Sequence, residues 1–126
     1  MIEDEDGEKF GYYLNTKVIE KYHQRIETDA KSFEFNLHSN GRLSKPMKFE
    51  IIDLKEGGYW LHVKSGWNTL IQLGDIYLRK ENLKNESCCD YQYEDKFDYH
   101  GIEKALCGKT RYNPFTPKRI LVIQIK

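Results

Sequence analysis

The sequence has few cysteines, no long apolar run and no excess of either charge. It holds three cysteines among 126 residues, an odd and sparse number that fits a reducing compartment better than a disulfide framework. The longest aliphatic run, Ile120–Ile123, has four residues, whereas a membrane-spanning helix needs about 20. The first residues are mainly acidic, whereas a secretory signal peptide begins with a basic segment that is followed by an apolar one. We therefore expect a cytoplasmic protein without a membrane span, with the nucleus as the alternative compartment.

Charge is balanced, while aromatic residues are plentiful. The 20 basic residues cancel the 20 acidic ones, so no field of the whole molecule attracts nucleic acid or anionic lipid. The nine tyrosines, six phenylalanines and two tryptophans argue against disorder, because each buried ring removes about 150–250 Å² from water. Length and composition together predict one globular domain, residues 1–126, whose core needs no disulfide.

Alternation of apolar and polar residues is the main signal of secondary structure. Asp6-Gly7 predicts a tight turn between the first two strands, and Asn40-Gly41 predicts another turn. Phe33, Phe35 and Leu37 alternate with polar residues, which predicts a half-buried strand with these three side chains in the core.

The last strand is predicted over Arg119–Ile125, which is nearly continuously aliphatic and β-branched. Such a composition is typical of a central strand that is covered on both faces. We therefore expect Ile120 and Val122 to lie in the same core as the strand that contains Phe33.

Two short helices are predicted. Apolar residues recur at helical spacing over residues 18–26, and Gly101–Cys107 precedes Gly108, a residue type that commonly follows a helix. The connections between strands are too short for parallel crossovers. The predicted fold class is therefore α+β and β-rich: an antiparallel β-sandwich flanked by two or so short helices.

Six segments follow one another in a recognisable order. They are the acidic turn and Phe-Gly-x-Tyr strand of Glu3–Tyr13, then Ser32–Leu37, Leu73–Ile76, Phe97–Gly101, Leu106–Gly108 and Phe115–Val122. Their order resembles that of the TLDc domain family, from about residue 2 to residue 125. The resemblance begins inside the family pattern, so we expect an amino-terminally short TLDc-like domain. Lys118-Arg119 stands where many relatives carry glutamate.

The resemblance implies a β-sandwich flanked by helices and a link to resistance against oxidative stress. In several relatives it also implies binding to the vacuolar proton-pumping ATPase. The family has no established catalytic residues, so the resemblance transfers none to this chain.

A basic, aromatic carboxy-terminal stretch supplies candidate binding residues. From Lys109 onward the chain has five basic residues and no acidic one, with Tyr112 among them. Interleaved cations and aromatic rings are typical of surfaces that bind nucleic acid. The alternative is that Lys118 and Arg119 flank a buried strand and keep its entry soluble. The candidate partner- or DNA-binding residues are Arg111, Tyr112, Lys118 and Arg119.

The cysteines offer one candidate site and one alternative. Cys107 is the candidate redox-sensitive thiol, because Lys104 would share its helical face and nearby cations lower the pKa of a thiol. A packed, inert Cys107 is the alternative. Cys88, Cys89, His100 and Cys107 could supply zinc ligands, but no Cys-x2-Cys pair is present, so we predict no metal and no cofactor.

The sequence thus predicts a non-enzymatic protein-interaction domain of the oxidative-stress response, with the vacuolar proton ATPase as the partner that the resemblance implies. The partner is expected to be another protein. The alternative is a stress-responsive, DNA-binding transcription regulator that uses the basic carboxy-terminal face.

Overall fold

The computed structural model of the chain describes residues 1–19, 24–62, 66–91 and 96–126. These residues form strands β1 (Ile2–Asp4), β2 (Lys9–Tyr13), β3 (Phe33–His38), β4 (Met47–Glu50), β5 (Tyr59–Leu61), β6 (Thr69–Leu73), β7 (Ile76–Arg79), β8 (Cys88–Cys89) and β9 (Pro117–Ile120), and a 3₁₀ helix at Glu81–Glu86. The strands lie in two antiparallel sheets, one with the order β4-β3-β2-β1-β9 and the other with the order β5-β6-β7-β8. The prediction of a β-rich, antiparallel fold is confirmed.

Tight turns set the order of neighbouring strands. Gly7 has a φ of 86° between β1 and β2, a conformation that glycine adopts without steric cost. Asn40 and Gly41 also have positive φ values, of 51° and 84°, between β3 and β4. Both turns confirm the predictions made from Asp6-Gly7 and Asn40-Gly41.

Buried side chains from both sheets form one hydrophobic cluster. The five-stranded sheet contributes Ile2, Phe10 and Phe49, and the four-stranded sheet contributes Ile76, Leu78 and Cys89. Phe115, which precedes β9, packs edge-on against Phe10 with 5.1 Å between the ring centroids. Burial of these side chains is the main force that holds the two sheets together.

Strand β3 faces the core with its polar side chains, which contradicts the prediction for Phe33, Phe35 and Leu37. Glu34 and Asn36 are buried, whereas Phe33 and Phe35 are half-buried and Leu37 is exposed. Side chains alternate between the two faces of a strand, so a strand that buries Glu34 and Asn36 turns Phe33, Phe35 and Leu37 to the opposite face.

The inverted face of β3 has a physical cause on each side of the sheet. On the inner side, Asn36 donates to the carbonyl oxygen of Leu106 at 2.6 Å, so a buried amide is satisfied. On the outer side, Phe33 stacks on Tyr13, with 5.0 Å between centroids. The Phe35 ring lies so close to Gly11 that a Cβ there would be 2.9 Å from it.

The carboxy-terminal segment also differs from its prediction as a covered central strand. Strand β9 ends at Ile120 and lies at the edge of its sheet, beside β1. Ile120 and Val122 are exposed, so they do not lie in the core with β3. Among the described residues, this segment pairs only with the short β1, and residues 118–126 are exposed.

The predicted helix at Gly101–Cys107 is wrong, because this segment consists of turns. His100, Gly101 and Lys104 have positive φ values, and such residues interrupt a right-handed helix. The other predicted helix includes residues 20–23, which lie outside the described residues, and residues 18–19 and 24–26 on either side are not helical. Within the described residues, no helix is long and apolar enough to cross a membrane.

Candidate functional site

An open pocket of about 510 Å³ lies on the outer side of the four-stranded sheet. Strand β7, the end of the 3₁₀ helix, β8 and the loop before β9 supply its walls. Its lining residues are Tyr77, Arg79, Glu86, Cys88, Asp90, Arg111, Tyr112 and Pro114. Two stretches distant in sequence, residues 77–90 and 111–114, thus meet at one surface.

Strand geometry places one half of the pocket lining. Ile76 and Leu78 are buried, so the alternate side chains of Tyr77 and Arg79 point outward. Cys88 pairs with Tyr77 across β7 and β8, and both residues line the pocket. The inward residues of these strands anchor the wall, and the outward ones form its surface.

Phe115 fixes the other half of the lining. Its backbone N–H donates to the carbonyl oxygen of Ser87 at 2.8 Å, and its ring is buried against Phe10. The exposed side chains of Arg111 and Tyr112 are thereby held within a few residues of a rigid attachment point.

Two guanidinium groups lie over tyrosine rings at this surface. The distance from the guanidinium carbon to the ring centroid is 5.8 Å for Arg79 over Tyr77 and 5.1 Å for Arg111 over Tyr112. Such cation–π pairs orient the cation, and Arg79 also donates to the hydroxyl group of Thr69. Each guanidinium group is therefore held in a defined orientation at this surface.

Acidic and neutral groups complete the electrostatics of the pocket. Asp90 is 3.7 Å from the guanidinium of Arg111, and Glu86 accepts from Arg79 through its backbone carbonyl at 3.4 Å. Burial raises the pKa of the Cys88 thiol, so this sulfur is protonated at neutral pH and is a poor nucleophile. The lining suits binding by stacking and hydrogen bonds.

The structure separates the four residues predicted from the basic carboxy-terminal stretch. Arg111 and Tyr112 line the pocket, whereas Lys118 and Arg119 lie on β9 in the other sheet. The guanidinium of Arg119 donates to Glu3 on β1 at 3.1 Å. Acidic residues thus partly neutralise the basic stretch, and its members divide between two elements.

Cys107 is 1% exposed, and its thiol donates to the carbonyl oxygen of Lys109 at 3.5 Å. A hydrogen bond from the Cys89 thiol lowers the pKa of Cys107, and burial opposes this shift. The predicted cause, a lysine on the same helical face, is wrong because Lys104 lies in a turn and not in a helix.

The zinc ligands considered from the sequence do not form a cluster. Cys89 points toward Cys107, while Cys88 lines the pocket and His100 is exposed beside Asp98. Within the four described stretches, no group of three or more His, Cys, Asp or Glu side chains is arranged to hold a metal ion.

Sequence reasoning missed a buried polar cluster between the sheets, formed by Glu34, Asp75, Lys96 and Tyr99. The Tyr99 hydroxyl oxygen lies 2.5 Å from Oε2 of Glu34 and 2.6 Å from Oδ2 of Asp75. Oε1 of Glu34 accepts from the backbone N–H of Asp75 at 2.8 Å, and Nζ of Lys96 is 3.1 Å from Oδ1 of Asp75. Each member therefore has a charged or hydrogen-bonding partner within the core.

The number of protons in this cluster can be counted. A hydroxyl group carries one proton, so Tyr99 can donate fully to only one of the two carboxyl groups, and a proton on the other would complete the second hydrogen bond. Burial raises the pKa of Glu34 well above its usual range, and the charge of Asp75 raises it further. Burial also raises the pKa of Asp75, but the neighbouring Lys96 opposes that shift. These shifts favour the protonated form of Glu34, while Lys96 favours the ionised form of Asp75.

No protein-family model, curated protein or solved structure matches the chain.

Proposed function

We propose that this chain is a non-enzymatic protein-interaction domain, a β-sandwich that recognises a partner protein through the pocket lined by Arg111 and Tyr112. The observation that carries the proposal is the convergence of residues 77–90 and 111–114 on one open surface with two arginine–tyrosine pairs. Tyrosine and arginine are the residue types that most often dominate the energy of protein interfaces, together with tryptophan.

The geometry of Tyr112 supports this role. Its side chain is 85% exposed, although exposure of an aromatic ring to water is unfavourable. The cation–π contact with Arg111 orients the ring before a partner arrives, which reduces the entropy that binding must remove. A partner that covers this ring would bury apolar area.

The role in the oxidative-stress response rests on the resemblance to the TLDc family. That resemblance supports the vacuolar proton-pumping ATPase as the first partner to test. The DNA-binding alternative receives less support, because Arg111 and Arg119 each lie near a carboxylate, and Arg111 lies in the loop at the pocket whereas Arg119 lies on β9. Three to five scattered cations can hold phosphates but do not read base edges.

The experiment measures binding of the chain to purified vacuolar proton ATPase and, in parallel, to a DNA duplex. The Arg111→Ala/Tyr112→Ala variant should lose at least about tenfold in affinity for the ATPase, since truncated hot-spot residues cost about 2 kcal/mol or more. Lys45→Ala/Leu54→Ala is the matched control, because it removes one exposed cation and one exposed apolar side chain outside the pocket.

Two results would contradict the proposal. Equal affinity of both double variants for the ATPase would remove the pocket from recognition. Sequence-selective duplex binding at physiological salt that disappears with Arg111 and Tyr112 would favour the transcription regulator.

A further inference from the structure

An unusually apolar segment, residues 121–125, follows β9. Strand β9 lies at the end of the five-stranded sheet, and the residues that follow it are exposed and mainly aliphatic. Val122 is 93% exposed, and Ile123 and Ile125 are 73% and 72% exposed. Edge strands of natural proteins are ordinarily protected by charged residues, proline or a covering element. Strand β9 itself carries Pro117, Lys118 and Arg119, whereas residues 121–125 contain neither a charged residue nor a proline. An aliphatic composition on both faces is instead typical of a strand with neighbours on both sides.

The backbone of this segment presents its hydrogen-bonding groups to the open edge. Leu121 exchanges two hydrogen bonds with Met1: its N–H donates at 2.8 Å and its carbonyl accepts at 2.7 Å. In an antiparallel pair, successive residues direct these groups to opposite sides. The N–H and C=O groups of Ile120 and Val122 therefore point away from β1.

The charges around this segment select between two kinds of partner. Exposed lysines, Lys118 and Lys126, flank the aliphatic residues. If two copies paired antiparallel about Val122, Lys118 of one would lie opposite Lys126 of the other, and like charges at opposed positions destabilise a pair. A strand with carboxylates at both ends would instead place opposite charges at these positions.

We propose that β9 and residues 121–125 bind an extended strand of a partner protein, aliphatic in its centre and flanked by carboxylates, which adds to the free edge of the five-stranded sheet. Backbone hydrogen bonds supply affinity in this mode of recognition, and alternate side chains supply specificity. This surface lies on the other sheet from the Arg111–Tyr112 pocket, so it is a second interaction surface that does not depend on the first.

The test uses the full chain and a synthetic, fluorescently labelled peptide in which valine and threonine alternate between paired glutamates. Val122→Pro removes an N–H that points to the open edge, and we expect it to weaken binding at least about tenfold. Ile123→Pro is the matched control, because its N–H points to the other side, beyond the end of β1. In the unmodified chain, the peptide should slow hydrogen exchange at the amides of Ile120 and Val122.

Four results would overturn the proposal. They are equal affinity of the two proline variants, exchange protection that spares Ile120 and Val122, equal binding of a peptide with lysines in place of the glutamates, and a dimer in sedimentation that Val122→Pro abolishes. The last result would assign the edge to a second copy of the chain. Arg111→Ala/Tyr112→Ala should bind the peptide like the unmodified chain, which separates failure of this proposal from failure of the pocket.

Discussion

The hydroxyl oxygen of Tyr99 lies 2.5 Å from Oε2 of Glu34, beside the hydrophobic cluster to which both sheets contribute. Burying a carboxylate costs several kcal/mol, whereas a neutral carboxylic acid with hydrogen-bond partners is far cheaper to bury. A protonated Glu34 would make this a contact between neutral groups, and the stability of the core would then depend on pH.

The first prediction concerns the pH dependence of stability. The pKa of Glu34 is raised in the folded chain, so the folded state retains a proton that the unfolded state releases above about pH 4.3. The free energy of unfolding should therefore fall as pH rises between the unfolded and the folded pKa, by up to about 1.4 kcal/mol per pH unit. Glu34→Gln keeps a neutral, hydrogen-bonding group and should remove this slope.

Chemical denaturation between pH 5 and pH 8 measures this effect. The stability of Glu34→Gln relative to the unmodified chain should increase with pH, whereas Glu103→Gln, at an exposed position, should show no such trend. A pH-independent loss of stability in Glu34→Gln would mean that Glu34 is ionised in the folded chain.

The second prediction concerns Gly74, which follows β6 at the start of the turn to β7. Its φ is +55°, and a Cβ there would lie 2.5 Å from Oε1 of Glu34 and 2.6 Å from the Phe97 ring. Gly74→Ala should therefore lose more stability than Gly41→Ala. Gly41 also has a positive φ, but a Cβ at that position would meet no atom within 4 Å, so its substitution costs only the backbone strain of about 1–2 kcal/mol. Equal losses in thermal or chemical unfolding would show that the turn next to Glu34 is not tightly packed.

The third prediction tests which face of β3 is buried. Phe49 is fully buried, so Phe49→Ala should cost about 3–5 kcal/mol. Phe35 is half-buried on the outer face, so Phe35→Ala should cost about 1–2 kcal/mol. Denaturation curves of the two variants give the comparison, and a larger loss for Phe35→Ala would restore the face predicted from alternation.

Local signals predicted the turns and strands but not the face that β3 buries. Asp6-Gly7 and Asn40-Gly41 act within a few residues, so their effect is readable from the sequence. The inward face of β3 depends on Tyr99 and Asp75, which are 65 and 41 residues from Glu34. A local pattern of apolar residues does not reveal partners so distant in sequence. Hydrophobic alternation alone predicted that the opposite face of β3 is buried.

Only part of the candidate site could be predicted, because its residues are brought together by contacts between segments that are distant in sequence. Arg111 and Tyr112 stand out because cations and aromatic rings alternate there. Tyr77 and Arg79 join them only because β7 presents its alternate side chains outward and Phe115 attaches the distant loop. The edge position of β9 could not be predicted either, because the aliphatic composition of residues 120–125 is typical of a covered strand.

The fourth prediction concerns the thiols. Cys107 has a lowered pKa, but a buried sulfur reacts slowly because the reagent cannot reach it. All three cysteines are buried, so a thiol reagent at neutral pH should label the folded chain slowly and the denatured chain fully. Rapid labelling of the folded chain that Cys107→Ala removes would instead assign Cys107 a reactive role.

The most direct measurement of the recognition role replaces Tyr112 with the photo-crosslinking residue p-benzoylphenylalanine in cells exposed to peroxide. We expect a crosslink to a defined protein that is stronger under peroxide, that weakens with Arg111→Ala and that is absent when the same residue replaces Lys45. Crosslinks from position 112 that go only to nucleic acid, or that match those from position 45, would contradict the recognition role.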